Sequence, residues 1–275
     1  MLLREVEYAR PQTVEEAVGL LAANDGARAL AGGQTLINVM KARAASPDVL
    51  VDLQDLEELR GIRDTGNGAL EIGAMTTYAE LLADDAAGAR SILGEVAGSI
   101  ADVQVRNRGT IGGNVCSSDP TNHLPPLLVA LGATFTVAGK DGEREVAAPD
   151  FFLGVYMTAA GPGELLTRIT LPPGGQDGFA AVTIGMDGTA IVSAAASLNG
   201  GARIALGCVD ATPVRATQME QRIGEDYSVD TVRAAAQGLG ATLDPPSDVH
   251  ASADYRRHLA EVLAVRAVLR ARERR

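Results

Sequence analysis

Two short glycine-rich segments constrain what this chain can fold into more than any other feature. Residues 31–35 read Ala31-Gly32-Gly33-Gln34-Thr35, and residues 110–114 read Thr110-Ile111-Gly112-Gly113-Asn114. Glycine tolerates positive φ and carries no Cβ to hold a ligand off. Successive backbone N–H groups in such a segment can point into one concavity, a nest suited to phosphate oxygens. Gln34, Thr35, Thr110 and Asn114 add side-chain donors. A Gly-Gly pair is also common in plain turns, so either segment alone says little. Together they can clamp a pyrophosphate from opposite sides. Neither matches a Gly-x-x-x-x-Gly-Lys-Ser/Thr phosphate loop or a Gly-x-Gly-x-x-Gly opening a helix, so the architecture must be of another kind.

Pattern divides the chain into three regions: 1–55, 56–173 and 176–275. In the first, Thr13 and Glu16 form a capping box before Val14, Ala17, Val18 and Leu21, which recur at helical spacing. Strands over 27–30 and 49–53 complete a β–α–β unit. The second region predicts a strand over 69–74 and a helix capped by Thr77 and Glu80. Another helix follows over 92–100, then an irregular stretch over 105–126. A short helix over 127–131 and strands over 134–137 and 165–171 end the region. Pro172-Pro173-Gly174-Gly175 marks a boundary. Beyond it, strands over 191–198 and 202–209 join through Asn199-Gly200, a hairpin signal. Helices over 229–239 and from 253 to about 274 close the chain. Strands followed by helices predict an α+β domain, and α+β is the expected fold class throughout.

The 275 residues carry a formal charge of −11, which argues against non-specific nucleic-acid binding. Arg270, Arg272, Arg274 and Arg275 suit the C-terminal end of a helix better than a basic tail. Aromatics make up 3% with no Trp, so Ala, Val and Leu must fill most of the core. Cys116 and Cys208 are the only cysteines, too few for an iron–sulfur cluster, which takes four thiolates. No residue set has metal-ligand spacing, so no metal site is expected. With no signal-peptide pattern at residues 1–7 and no membrane-length apolar run, a cytoplasmic protein is expected.

Longer segments resemble a known family. AGGQTLINVMKAR (31–43), IGAMTT (72–77) and VRNRGTIGGNVCSSDPTNHLPPLLVAL (105–131) are similar to the flavin segments of the FAD-binding (medium) subunits of molybdenum hydroxylases. Residues 253–268, opening with Asp254-Tyr255-Arg256-Arg257, resemble the family's closing helix. Carbon monoxide dehydrogenase medium chains and the flavin domain of xanthine dehydrogenase are its best-known members. The resemblance implies a two-subdomain FAD-binding fold of the vanillyl-alcohol-oxidase (PCMH) type, followed by a small C-terminal α+β domain. It places FAD against Ala31, Gly32, Gly33, Gln34, Thr35 and Leu36 on one side, and Thr110, Gly112, Gly113 and Asn114 on the other. Thr76 is expected near the flavin, Asp119 beside sugar or ribityl hydroxyls, and Leu165 with Leu166 at the adenine.

The implied function is that of an FAD-dependent oxidoreductase subunit in electron transfer. The molybdenum cofactor and [2Fe-2S] clusters would lie on a large and a small partner subunit, with NAD, a quinone or another acceptor receiving the electrons. A free-standing FAD enzyme and a flavin-free assembly scaffold are the alternatives. One departure stands out: where relatives carry an aromatic that approaches the flavin, residues 184–190 (IGMDGTA) hold no Tyr. No catalytic residue is assigned. His123 is either a proton donor near the flavin or a structural loop histidine, and Cys116 either a reactive or a packed thiol. Arg106 and Arg108 offset phosphate charge or sit on a solvated turn; His250 and His258 lack metal-binding partners.

Overall fold

Parallel strands need a crossover long enough to return over the sheet, and the first region supplies one. It contains β1 (Glu7–Ala9), α1 (Val14–Ala23), β2 (Ala27–Leu30), α2 (Leu36–Lys41) and β3 (Val49–Asp52). The computed structural model describes residues 3–185 and 188–274. The three strands pair in the order β1-β3-β2, all parallel. β3 is central and buried along its length, so its apolar run does not alternate. Thr13 caps α1 by accepting the Glu16 N–H at 3.1 Å, and Ala17, Val18 and Leu21 face the core.

The second region runs through β4 (Ile62–Asp64), β5 (Leu70–Gly73), α3 (Tyr78–Ala83), α4 (Asp85–Ala89), α5 (Ile92–Ser99), α6 (Val103–Arg108), α7 (Ile111–Ser117) and α8 (Leu124–Leu131). It continues with β6 (Thr134–Gly139), β7 (Gly142–Ala147), α9 (Ala148–Phe151), β8 (Phe152–Gly154), β9 (Met157–Thr158) and β10 (Leu165–Leu171). Five of these strands form an antiparallel sheet in the order β4-β5-β10-β6-β7, while β8 and β9 make a separate hairpin. The expected irregular stretch over 105–126 is largely helical, which corrects the sequence reading. Each helix there is too short for periodicity to register, and the first two are started by side-chain caps. Asp102 accepts the Val105 N–H at 2.8 Å to open α6, and Thr110 accepts the Gly113 N–H at 3.1 Å to open α7. Prolines in the first turn of α8 occupy positions where a missing N–H costs nothing.

The third region forms the antiparallel sheet β11 (Asp177–Ile184), β12 (Thr189–Ser197), β13 (Arg203–Gly207) and β14 (Val214–Arg215), in that order. The turn after β12 holds Asn199-Gly200. Then come α10 (Thr217–Ile223), α11 (Val229–Ala236) and α12 (Ala253–Glu273). The core under α12 contains no Phe; Ala194, Ala196, Leu206, Leu263 and Val268 fill it. A Cβ on Gly178 would overlap the Ala267 carbonyl oxygen, so small residues bring helix and sheet together. Arg270, Arg272 and Arg274 donate to the carbonyls of Phe179, Tyr227 and Asp177 at 2.6, 3.1 and 2.9 Å. They fasten the helix to its neighbours; Arg275 lies outside the described residues.

α8 joins the second and third regions. Every residue of it is buried, it packs on β12 and β13, and Arg203 donates to the Ala130 carbonyl at its C-terminal end at 3.0 Å. A buried ion pair reinforces the junction: Arg90 Nε meets Asp177 Oδ2 at 2.8 Å, with the side chains 4% and 1% exposed. Arg90 also donates to the Pro172 carbonyl at 2.6 Å, and Asn199 to Asp177 Oδ1 at 3.0 Å. Among the described residues no helix is long and apolar enough to cross a membrane. Removing one partner of a buried pair strands the other charge, so Arg90→Met should cost about 3–5 kcal/mol in urea unfolding. Arg10→Met, which breaks the exposed pair with Asp55, should cost about 1 kcal/mol or less. Equal losses would show that the buried pair does not secure the junction.

Candidate cofactor site

A cavity of about 400 Å³ opens between the 31–36 segment, α7, the residues after β5 and the start of β10. Ala31, Gly32, Gly33, Gln34, Thr35, Leu36, Thr110, Gly112, Gly113, Asn114, Leu165 and Leu166 all line it. Thr76 and Asp119 are not among the wall residues. Thr76 is buried behind the wall, its hydroxyl donating to the Gly61 carbonyl at 3.1 Å and its own carbonyl accepting the Ile111 N–H at 2.9 Å. Asp119 is turned toward Thr121, whose N–H and hydroxyl it accepts at 2.9 and 2.7 Å. Arg28, Met75, Tyr78 and Tyr156 are wall residues that the sequence reading missed.

The two glycine-rich segments have different roles. In the 31–36 segment, the backbone N–H groups of Gly33, Gln34, Thr35 and Leu36 have no hydrogen-bond partner among the described residues. Thr35 makes no capping bond with its side chain, and Gly33 adopts φ +73°. These free donors border a concavity, the arrangement a nest requires. The second segment is not a loop but the first turn of α7, and its amides are already engaged. Ile111, Gly112 and Asn114 donate to the carbonyls of Thr76, Ala74 and Thr110 at 2.9, 2.9 and 3.0 Å, and Gly113 donates to the Thr110 hydroxyl. α7 therefore builds a wall, not a second nest.

Close backbone approach explains most of the glycines. A Cβ on Gly32 would overlap the Arg108 carbonyl oxygen, and one on Gly112 would lie 2.6 Å from both Cβ and O of Ala74. On Gly113 it would meet the Thr110 hydroxyl at 2.8 Å and disturb the α7 cap. Gly32 and Gly112 thus let the first sheet, α6–α7 and β5 close around one space. Arg108 contributes its carbonyl, and Arg106 donates to the Ile100 and Ala101 carbonyls, so neither guanidinium reaches the wall.

No Asp or Glu lines the cavity among the described residues, and Arg28 is its one cation. In a chain of formal charge −11, that makes the cavity a place where a bound anion escapes like-charge repulsion. Asn114 Oδ1 is buried without a hydrogen-bond partner, an acceptor left over for a ligand hydroxyl or N–H. Burial pushes the Tyr78 phenol up to about 12, against a smaller lowering by Asn114, so it stays neutral. Cys116 lines the cavity as an exposed residue, and the protein packed around its sulfur raises the thiol to about 12. Burial raises Cys208 to about 11, and its Sγ donates to the Ala190 carbonyl at 3.2 Å. Cys208 is a packed thiol, and with both groups raised neither is a ready thiolate nucleophile at neutral pH.

His123 is buried at the N-terminal end of α8, edge-on to Phe179 at 5.2 Å between ring centroids, and away from the cavity wall. Burial lowers its pKa from 6.5 to about 4, opposed in part by a hydrogen bond to Gly188. It is a neutral structural histidine. Met186 and Asp187, within the run that lacks an aromatic, lie outside the described residues. Among the described residues no three His, Cys, Asp or Glu side chains are grouped to hold a metal ion.

Residues 4–174 match the family described as FAD binding domain in molybdopterin dehydrogenase, and residues 175–271 the CO dehydrogenase flavoprotein C-terminal domain. The chain belongs to this family of molybdopterin dehydrogenase FAD-binding proteins. It is 40% identical to the carbon monoxide dehydrogenase medium chain of Afipia carboxidovorans, covering 100% of this chain and 99% of the relative. It is 36% identical to the glyceraldehyde dehydrogenase medium chain of Sulfolobus acidocaldarius, covering 96% and 97%. A chain of quinoline 2-oxidoreductase from Pseudomonas putida 86 has the same fold, with a TM-score of 0.92, 34% identity and 99% coverage of both chains. Within the family, this chain is an FAD-carrying oxidoreductase subunit of the medium-chain type.

The wall residues fit that cofactor. Unpaired amides suit a diphosphate, the absence of carboxylates spares it repulsion, and Leu165 and Leu166 provide apolar surface for a ring. Gly33→Val and Gly113→Val should abolish FAD retention, the first through left-handed strain and the second through the α7 cap. Gly32→Ala should also lose FAD because it forces two backbones apart, whereas Gly19→Ala, with open space around it, should keep it. The flavin-to-protein absorbance ratio of each purified variant decides, and a fully loaded Gly32→Ala would contradict the packing. Unfolding exposes His123 to ordinary protonation, so its contribution to stability is lost as pH falls from 6.5 toward 4, by about 3 kcal/mol in all. His123→Gln should flatten that slope; an unchanged slope would contradict the buried neutral form.

Proposed function

We propose that this chain is the electron-transfer subunit of a molybdenum hydroxylase complex. In this reading, a small partner carries [2Fe-2S] clusters, a large partner carries the molybdenum cofactor and binds the substrate, and NAD, a quinone or another acceptor receives the electrons in the cytoplasm. Bound FAD supplies the exchange between one-electron and two-electron carriers. The observation that carries the reading is the row of unpaired amides at Gly33, Gln34, Thr35 and Leu36 in a cavity free of carboxylates. Those amides and the Thr35 hydroxyl hold the pyrophosphate. Gly112, Gly113 and Thr110 back it, Asn114 accepts a ligand hydrogen, and Leu165 and Leu166 pack near the adenine. Residues 1–55 and 56–173 serve as the two FAD-binding subdomains, and 176–275 as a third domain held to them by α8.

Two cysteines cannot provide the four thiolates of a cluster, so one-electron donors must lie on another chain. The named activities of the relatives concern carbon monoxide, glyceraldehyde and quinoline, yet this chain is 34–40% identical to a chain of each. That supports substrate selection outside this subunit. Tagged chain expressed with its genomic neighbours should co-purify with molybdenum- and iron–sulfur-bearing partners, and the chain alone should bind FAD without turning over substrate. Steady turnover by the isolated chain would favour a free-standing oxidoreductase, and failure to take up FAD would overturn the reading.

A further inference from the structure

The β8–β9 hairpin reverses through Val155 and Tyr156, and Tyr156 has φ +59°. Glycine takes this conformation freely and a bulky side chain seldom does. The turn is nevertheless held firmly. The Tyr156 N–H donates to the Ser118 carbonyl at 3.1 Å, the Ser118 hydroxyl donates to the Gly154 carbonyl at 2.9 Å, and Ser118 itself is left-handed at φ +44°. The Tyr156 hydroxyl donates to Asp119 Oδ2 at 3.4 Å. The Asp119 charge raises the pKa of that phenol, which keeps its proton available for the bond. Two strained residues joined by a backbone hydrogen bond thus hold one tyrosine, 65% exposed as a residue, on the cofactor cavity. The other aromatic in the wall, Tyr78, is buried.

Strain maintained by surrounding bonds points to a side chain whose placement matters. We propose that Tyr156 is the aromatic face of the FAD site, its ring packing against one of the two flat ring systems of the bound dinucleotide, with Asp119 and Ser118 as positioning residues. The inference rests on the FAD-binding reading. It supplies an aromatic where residues 184–190 offer none, and it gives Asp119 a role although that carboxylate stands off the wall.

The test strips FAD from the full chain and titrates it back into wild type, Tyr156→Gly and Tyr156→Phe. Glycine relieves the left-handed turn, so apo Tyr156→Gly should melt at a higher temperature than apo wild type. The same variant should bind FAD about 10-fold or more weakly, the scale of one lost stacking contact. Tyr156→Phe keeps the ring and should bind within about 3-fold of wild type on the same scale. If the ring meets the isoalloxazine, flavin fluorescence in the complex rises in Tyr156→Gly. If it meets the adenine, fluorescence is unchanged and affinity for ADP falls with that for FAD. Wild-type affinity and fluorescence in a folded Tyr156→Gly would overturn the inference while leaving FAD binding intact. A wild type that takes up no FAD would overturn the FAD-binding reading and this inference with it.

Discussion

The contact on which the rest of this structure depends is that of Gly32 against the carbonyl of Arg108, where no Cβ can fit. It brings the end of a parallel β–α–β unit onto the link between α6 and α7. Gly112 makes the equivalent approach to Ala74 at the end of β5. Two sheets of different type are thereby held around one space with the 31–36 segment exposed along it. Glycine is required here for closeness between protein backbones; only at Gly33 does a positive φ decide the residue. The division of labour is asymmetric. One segment keeps its donors free, and the other spends them on its own helix.

Charge and burial then set what the space accepts. An acidic protein repels a diphosphate on most of its surface, but among the described residues this cavity has no carboxylate in its wall. Among the described residues, the C-terminal region stays outside the wall and bears on it only through what it supports. α8 fills the junction between the two larger cores, and the Arg90–Asp177 pair crosses it in a site closed to water. A carboxylate or guanidinium alone there would be costly, so the two regions are held in one arrangement by mutual need. The cavity is thus built on a fixed frame, and its one strained, exposed element is the hairpin that carries Tyr156.

Much of the fold was legible because local rules and packing agreed. The Thr13 and Thr77 caps, the apolar strand over 49–52, the Asn199-Gly200 turn and the last helix all follow from short-range chemistry. The helices between 103 and 131 were not legible from periodicity. They are six to eight residues long, α7 contains two glycines and α8 starts with two prolines, so propensity argued against them. Caps at Asp102 and Thr110 and complete burial of α8 override that tendency. Most of the cavity-wall residues named from the sequence came through the family resemblance, since they cluster in two motifs. Arg28, Tyr78 and Tyr156 escaped because topology brings them to the wall, and nothing in their neighbours' sequence marks them. Thr76 and Asp119 belong to the motifs yet lie off the cavity wall, a distinction only side-chain direction reveals.

The central claim is that the free amides of the 31–36 segment bind FAD by its pyrophosphate. Calorimetric titration of stripped protein with FAD and with riboflavin tests this most directly, because riboflavin keeps the isoalloxazine and ribityl chain but has no phosphate. Two or more charge-assisted hydrogen bonds to the diphosphate should make FAD tighter by on the order of 100-fold or more. ADP should compete with FAD. Equal affinity for FAD and riboflavin, with no competition from ADP, would contradict the account.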